Sequence, residues 1–204
     1  MIFINKKQEP KSLLKYRVNK RNLADITYDN FRDKDDVRDA LLAEQGHICA
    51  YCMQRITKDK MKIEHFACQS NNSELELNFS NMLGCCMGGH GNSKEYQHCD
   101  TRKNDEIIKF NPSNPHHKNL LKIYYDRNGL ISSEDEEFDK NLNEILNLNL
   151  EFLKNNRKAV LEQLYESFEK VKGTATKKDW EKKLLNFRNP NNGKLFPYCG
   201  IALY

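Results

Sequence analysis

The residue types able to do chemistry in this sequence are concentrated between positions 49 and 104. Cys49 and Cys52 form a C-x-x-C pair, a spacing that lets two thiolates converge on one metal ion from a tight turn. Cys85 and Cys99 can complete a tetrahedral four-cysteine zinc site, with a glycine-rich loop bulging out between them. Four cysteines leave zinc no open position, so the sequence predicts structural Zn²⁺ that contributes folding energy.

The choice of the third zinc ligand stays open. Cys86 can replace the cysteine before it, because adjacent residues rarely both point inward, and His90 or His98 can also enter the site. A thioredoxin-type redox pair would need a βαβ unit around the C-x-x-C motif, and the sequence shows none. Two further cysteines have no visible partner and are interpreted as buried thiols: Cys68 and Cys199.

A second group of polar residues predicts a divalent-ion site. Glu64 and His65 are adjacent, and Asp100 directly follows the last zinc cysteine. A hard ion such as Mg²⁺ or Mn²⁺ takes oxygen ligands, so we expect Glu64 and Asp100 to bind it, with Asn104 as a weaker candidate. His65 would then deprotonate a water for attack on phosphorus.

Each of these residues also has a plain structural explanation. His65 can be a packed histidine and Asp100 a helix N-cap. Asn81 can be a turn residue and Lys103 a solvated lysine. The joint pattern favours chemistry over these separate explanations.

Local patterns predict the elements that position these groups. "RDKDDVRDALLAEQG" predicts a helix that stops at Gly46, and "HCDTRKNDEIIKF" predicts a short helix. "YCMQRI" and "KIEHFA" are expected to form two strands of a hairpin. "IYYDRNGLISS" predicts a second hairpin around an Asn-Gly turn.

The last third of the sequence is predicted to be mostly helical. Ser133 with Glu136 resembles a capping box, and Thr176 is a plausible cap for a later helix. Between them an apolar stripe is expected to run through Val171 and stop at Gly173. "KLFPYCGIALY" is interpreted as a terminal strand.

Bulk composition narrows the class of protein. The 204 residues are 38% apolar and 30% charged, which is typical of a soluble globular protein. No apolar run approaches the ~20 residues of a membrane span. With no signal-peptide pattern, a cytoplasmic location is expected, where seven cysteines favour metal ligation over disulfides.

Charge is distributed unevenly along the sequence. Residues 1–21 carry seven basic residues against one acidic residue, although the whole chain has a net charge of only +4. Such a basic segment indicates phosphate contacts, and the simpler alternative is a solvated or partner-binding tail.

The combined motif "CAYC…KIEH…NMLGC…CDTRKND" resembles the HNH endonucleases, which have the ββα-metal fold. The resemblance implies that Glu64 and Asp100 bind the catalytic ion and that His65 is the general base. It further implies that Asn81 orients the histidine loop and that Lys103 contacts phosphate. Asp100 stands where many relatives have Asn or His, and Glu64 where many have Asp, so an oxygen ligand is kept at both positions.

The resemblance extends over nearly the whole chain to one HNH branch. "EPKSLLKYR", "NPSNP", "IYYDRNGLI" and "FPYCGIALY" are similar to PtuB-like nucleases of Septu-type antiviral systems, including versions attached to retrons. That likeness implies a PtuA-like ABC/SMC-type ATPase partner, with a retron reverse transcriptase and its RNA-DNA as further associates. Nucleic acid is the implied substrate, DNA first, with RNA or tRNA as the alternative.

Together these observations predict an α+β protein, predominantly α, with a zinc-braced ββα-metal core. We expect a basic N-terminal arm at 1–32, the nuclease core at 33–108, and a β-hairpin plus helical region at 109–204. The competing function is a noncatalytic zinc-ribbon module that binds nucleic acid or a partner protein. That alternative explains the cysteines but leaves the Glu64, His65, Asn81 and Asp100 set as coincidence.

Overall fold

The computed structural model describes residues 1–18, 26–169 and 176–203, a mixed α/β arrangement that is mostly helical. The main elements follow in chain order: α1 (Lys11–Val18), α2 (Lys34–Gln45), β1 (Lys62–His65), β2 (Met82–Cys85), α3 (Cys99–Lys103), β3 (Ile123–Tyr125), β4 (Ile131–Ser133), α4 (Glu136–Lys140), α5 (Glu151–Glu169), α6 (Lys177–Arg188) and α7 (Gly200–Leu203). Within the described ranges, no helix combines the length and apolar character needed to span a membrane.

The strands β1 and β2 form an antiparallel pair that carries the central part of the molecule. Glu64 lies opposite Leu83, and His65 lies opposite Met82. The predicted strand at "YCMQRI" is wrong, because β1 pairs with the later β2 and no named strand covers 51–56. A short alternating run shows that a segment is extended but does not identify its partner, and this explains the error.

Residues 48–55 form a tight knuckle instead of a strand. The amide of Met53 donates to the carbonyl of Cys49, and the amide of Cys49 donates to the carbonyl of Gln54. Met53 has a positive φ of 64°, which an L-residue adopts only when its surroundings impose it. The knuckle therefore holds both cysteines of the C-x-x-C pair on one tight turn.

The predictions of helix α2 and of the hairpin β3–β4 are confirmed. Helix α2 ends at Gly46, which takes the left-handed conformation with φ 60°. Strands β3 and β4 are antiparallel, and the Asp126 carboxylate accepts the amides of Asn128 and Leu130 within the turn.

The C-terminal region is helical as expected, with corrected ends. Asp135, not Ser133, caps α4 by accepting the amide of Phe138. Thr176 and Asp179 form the capping box of α6, so that prediction is confirmed. The predicted stop around Val171 and Gly173 lies outside the described residues. The predicted terminal strand is wrong, since its last part forms α7.

The N-terminal segment packs onto the body of the molecule. Met1, Ile4 and Leu13 are buried and join the hydrophobic cluster that runs through the chain to Ile201. Lys6 donates to the Glu44 carboxylate and to the carbonyl of Met82 in β2. Residues 1–18 are therefore attached to the core, while Lys20 and Arg21 of the predicted arm lie outside the described residues.

A segment rich in asparagine, residues 141–149, ties the C-terminal region to the central part. Its first five residues, Asn141–Ile145, form a π-helical turn that continues α4. The Asn141 amide oxygen accepts the amide of Lys109, and the Asn147 side chain donates to the carbonyls of Glu95 and Gln97. These contacts fix the loop before α3 and the chain after it.

Candidate metal and catalytic site

Four buried cysteine sulfurs form a cluster that can hold zinc. The ligand atoms of Cys49, Cys52, Cys86 and Cys99 all lie within 4.8 Å of one another. The Cys49 and Cys99 sulfurs are 3.8 Å apart, and so are those of Cys52 and Cys86. Zn–S bonds of about 2.3 Å in a tetrahedron place sulfurs about 3.8 Å apart, so the donor set fits Zn²⁺.

The third sulfur of this cluster belongs to Cys86, the alternative to Cys85 in the sequence prediction. Cys85 is the last residue of β2, where it lies opposite Lys62 and on the same sheet face as Glu64. Successive side chains of an extended chain point to opposite sides, so only the next residue, Cys86, joins the other three sulfurs.

His98 supports the cluster without belonging to the four-cysteine group. Its Nε2 lies 3.6 Å from the Cys86 sulfur, and its Nδ1 is buried without a hydrogen-bond partner among the described residues. A neutral histidine carries one N–H, and placing it on Nε2 lets the ring donate to the sulfur. His90, the other histidine considered as a ligand, is exposed.

A polar cleft of about 200 Å³ opens between β1 and α3. Four of the residues predicted to do chemistry line it together: Glu64, His65, Asp100 and Asn104. Cys68, interpreted as a thiol apart from the site, also lines the cleft and is 8% exposed. We refer to this opening as the β1–α3 cleft.

Glu64 is buried at the base of the cleft, where two donors hold one of its oxygens. Tyr51 donates its hydroxyl to Oε1 at 2.9 Å, and the Lys103 ammonium lies 3.0 Å from the same oxygen. Burial, together with the neighbouring Asp100 carboxyl, raises the pKa of Glu64 well above its ordinary value, and Lys103 opposes that shift. Burial and the Glu64 charge likewise raise the pKa of Tyr51.

Lys103 has a different position from the one predicted. Its side chain is fully buried and paired with Glu64, so it presents no ammonium to a phosphate at the surface. Helix α3 has only five residues, and Lys103 lies on the side that packs against the strands. The ammonium compensates the charge of the Glu64 carboxylate, and the phosphate contact of this lysine stays a prediction.

Lys62 is a partly exposed cation that lines the cleft. Its ammonium lies 3.3 Å from Asp100 Oδ2 and donates to the Thr101 hydroxyl at 2.8 Å, with 29% of the side chain exposed. One feature of the sequence indicates the position of Lys62, since it precedes Glu64 by two positions and therefore shares its strand face. The role of Tyr51 was also missed, because its place inside the C-x-x-C pair is the only sequence feature that points to the site.

The His65 imidazole is fixed at the end of β1 by a backbone carbonyl. Nε2 lies 2.9 Å from the carbonyl oxygen of Glu76, and the Tyr28 ring packs edge-on at 4.6 Å. A carbonyl only accepts hydrogen bonds, so the neutral ring carries its proton on Nε2 and leaves Nδ1 as the basic nitrogen. Burial lowers the pKa of His65, which favours this neutral form.

Asn81 lies behind the cleft and holds the chain that follows His65. Its Oδ1 accepts the amide of Ala67 at 2.8 Å, and its Nδ2 donates to the carbonyl of Ala67 at 3.0 Å. Its backbone carbonyl also accepts the amide of Phe66. The residue thus fixes the two positions directly after the histidine.

Asn104 ends α3 in an unusual backbone conformation. It has φ 50° and ψ −127°, and its amide donates to the carbonyl of Asp100. Cys99, at the other end of the same helix, has a positive φ of 54°. Such conformations persist where surrounding structure fixes them, and here they flank the one-turn helix that carries Asp100.

Comparison of the sequence with known proteins found a relative that bears on this site. No family model matches the chain. The class indicated by the comparison is the HNH endonucleases. The relative is a protein of Vibrio cholerae serotype O1 biovar El Tor named "Retron Vc95 putative HNH endonuclease", 24% identical over 168 residues that cover 78% of this chain and 80% of the relative. The match confirms the resemblance to HNH endonucleases and associates it with retrons.

Proposed function

We propose that the chain is a metal-dependent HNH endonuclease that hydrolyses phosphodiester bonds in nucleic acid. The observation that carries this proposal is the convergence of Glu64, His65 and Asp100 on the β1–α3 cleft beside a four-cysteine cluster. The retron relative supports it at the level of the family. The strand, strand and helix order of β1, β2 and α3 agrees with a ββα-metal core inside residues 33–108.

The residues around the cleft suit a divalent cation. Glu64 and Asp100 would hold Mg²⁺ or Mn²⁺, with Asn104 as a further oxygen donor. Tyr51 and Lys103 both contact Oε1 of Glu64, so neither contact uses Oε2. A bound ion would polarise the phosphoryl oxygen and offset the charge that develops during attack.

His65 supplies the base in this scheme. Nδ1 removes a proton from the attacking water while the Glu76 carbonyl holds Nε2–H, so the ring does not rotate as charge develops. Asn81 acts as a positioning residue through Ala67. Lys62, instead of the buried Lys103, is the cation we assign to the phosphate.

We further propose a role in antiviral defence with a PtuA-like ABC/SMC-type ATPase and a retron reverse transcriptase with its RNA-DNA. This part is supported by the likeness to PtuB-like sequences and by the name of the retron relative. DNA is the expected substrate, with RNA or tRNA as the alternative. If the ATPase gates the nuclease, cleavage will increase when ATPase and ATP are added to the purified chain.

The first prediction tests the assigned base. His65→Ala is expected to retain its fold and zinc content and to lose cleavage by at least about 100-fold, because general-base catalysis contributes about 10²–10⁴. Cleavage of DNA and RNA is measured with Mg²⁺ in the presence of the ATPase. His116→Ala, which changes an exposed histidine away from the cleft, serves as the matched control.

The two results separate the competing functions. Loss of cleavage in His65→Ala with normal activity in His116→Ala supports the nuclease. Equal cleavage by His65→Ala and the wild type would remove His65 as the base. A chain that binds nucleic acid but shows no His65-dependent cleavage with its partner would favour the noncatalytic zinc module.

A further inference from the structure

A second polar groove of about 460 Å³ runs beside the β1–α3 cleft. The two openings share three lining residues, Thr101, Asn104 and Asp105. Beyond this shared edge the groove is lined by Lys94, Gln97 and Arg102 among others. A polymer lying in the cleft can therefore continue into this second opening, which we call the 94–106 groove.

The far wall of the groove is a loop held in place before any ligand arrives. The Arg102 guanidinium donates to the carbonyl of Lys94 at 2.6 Å, and Asn147 donates to the carbonyls of Glu95 and Gln97. The amide of His98 donates to the carbonyl of Gly88, which closes the loop at its base. A wall fixed in this way needs little ordering when it binds a partner.

Charged residues of both signs line the groove. Asp105 lines both openings, whereas Lys94, Arg102 and Glu106 line the groove alone. Among the residues that the structure describes, neither Lys94 nor Arg102 forms an ion pair with a carboxylate. These two cations are therefore suited to a phosphate next to the one bound in the cleft.

An exposed aromatic residue belongs to the same one-turn helical segment as Lys94. Tyr96 lies between the lining residues Lys94 and Gln97, and 61% of its surface is exposed. Single-strand binding proteins combine exposed aromatic side chains, on which bases stack, with cations that hold the phosphates. A base inside a duplex has no free face to offer such a ring.

We propose that the 94–106 groove binds the cleaved strand as single-stranded nucleic acid, with a base stacked on Tyr96 and its phosphate held by Lys94 and Arg102. The proposal rests on the nuclease function and names the form of its substrate. A duplex would be accepted only where the strand is unpaired beside the scissile phosphate.

The test compares binding of a fluorescein-labelled single-stranded oligothymidylate and a blunt hairpin duplex in buffer without divalent ions. Tyr96→Ala is expected to weaken single-strand binding about ten-fold, since base stacking on an aromatic ring has an effect of this order. Tyr96→Phe keeps the ring and should bind like the wild type. Tyr124→Ala, which removes a tyrosine 45% exposed on β3, is the matched control.

Lys94→Ala provides a second readout. Loss of one phosphate contact should reduce the slope of log K against log salt by about 0.7 for a single strand. Lys178→Ala, an exposed lysine of α6 outside the groove, should leave the slope unchanged.

The outcomes separate this inference from the nuclease assignment. Weaker single-strand binding by Tyr96→Ala alone, with a reduced salt slope for Lys94→Ala, supports the groove. Wild-type binding by Tyr96→Ala, or a wild type that prefers the blunt hairpin, overturns it while His65-dependent cleavage stands. If His65→Ala still cleaves but the groove variants lose binding, the assigned base fails and the groove remains.

Discussion

Two lysines of the site show how burial decides what a charge does. Lys103 is completely buried against Glu64, whereas Lys62 reaches Asp100 with 29% of its side chain exposed. Removing one partner of a buried ion pair is strongly destabilising, because the remaining charge is left without either a partner or solvating water. The Lys62–Asp100 pair is partly exposed, so we expect it to contribute less to stability and to remain available to a ligand.

This contrast predicts different responses to substitution. Lys103→Met should lower the free energy of unfolding by about 3 kcal/mol, the scale for removing one partner of a buried pair. Lys62→Ala should lower it by less than about 1 kcal/mol. Urea denaturation of both variants measures the difference.

The double variant Lys103→Met with Glu64→Gln is the control for the buried pair. A neutral amide does not require the ammonium, so part of the lost stability should return. If the double variant is as unstable as the sum of the two single changes, the pair is not coupled.

At the scale of elements, the cysteine cluster joins three segments that are separate in the sequence. The knuckle contributes Cys49 and Cys52, the end of β2 leads into Cys86, and α3 begins with Cys99. Asp100 follows Cys99 directly, so the cluster also sets the position of a cleft residue. Zinc binding would therefore organise the cleft as well as stabilise the fold.

Adjacent cysteines allow a sharp test of this cluster. Cys86→Ser should reduce bound zinc per chain and lower the melting temperature, whereas Cys85→Ser should retain zinc because its sulfur is outside the group. The zinc content of the wild type and both variants, purified in parallel, is measured by inductively coupled plasma mass spectrometry. Zinc loss from Cys85→Ser with retention in Cys86→Ser would reverse the assignment.

The sequence predicted features set by local rules better than features set by distant packing. Gly46, the Asn128-Gly129 turn and the Thr176 cap follow from backbone conformations that only a few residues favour. The pairing of β1 with β2 could not be predicted in this way. Sixteen residues separate the two strands, and the alternation of apolar residues does not indicate which strand is the partner. Burial of Lys103 was also missed, because lysine is exposed in most proteins and its partner lies on another element.

At the scale of the molecule, one hydrophobic cluster connects the N-terminal segment, the central strands and the C-terminal helices. Polar contacts follow the same connections, since the amide of Cys99 donates to the carbonyl of Leu146 and Arg102 Nε lies 3.3 Å from the carbonyl of Glu144. The segment 141–149 therefore supports the helix that carries Asp100. Parts far apart in sequence should lose structure together.

Removal of zinc tests this coupling. Treatment with a strong chelator should increase amide hydrogen exchange in β2 and α3 and also in residues 141–149, because these segments are bound to one another. Helix α6, which packs against α7, should respond less. Exchange confined to residues 47–104 would show that the C-terminal region is independent of the cluster.

The bond from Cys99 to Leu146 also has a consequence for how the protein is made. Ribosomes release the chain from its N-terminus, so residues 49–104 emerge well before the segment that fixes the start of α3. The cleft is complete only after residues through about 149 have been synthesised and folded back onto it. A nascent chain carrying all the cleft residues therefore still lacks its supporting segment, which delays the finished site until residues 141–149 have emerged.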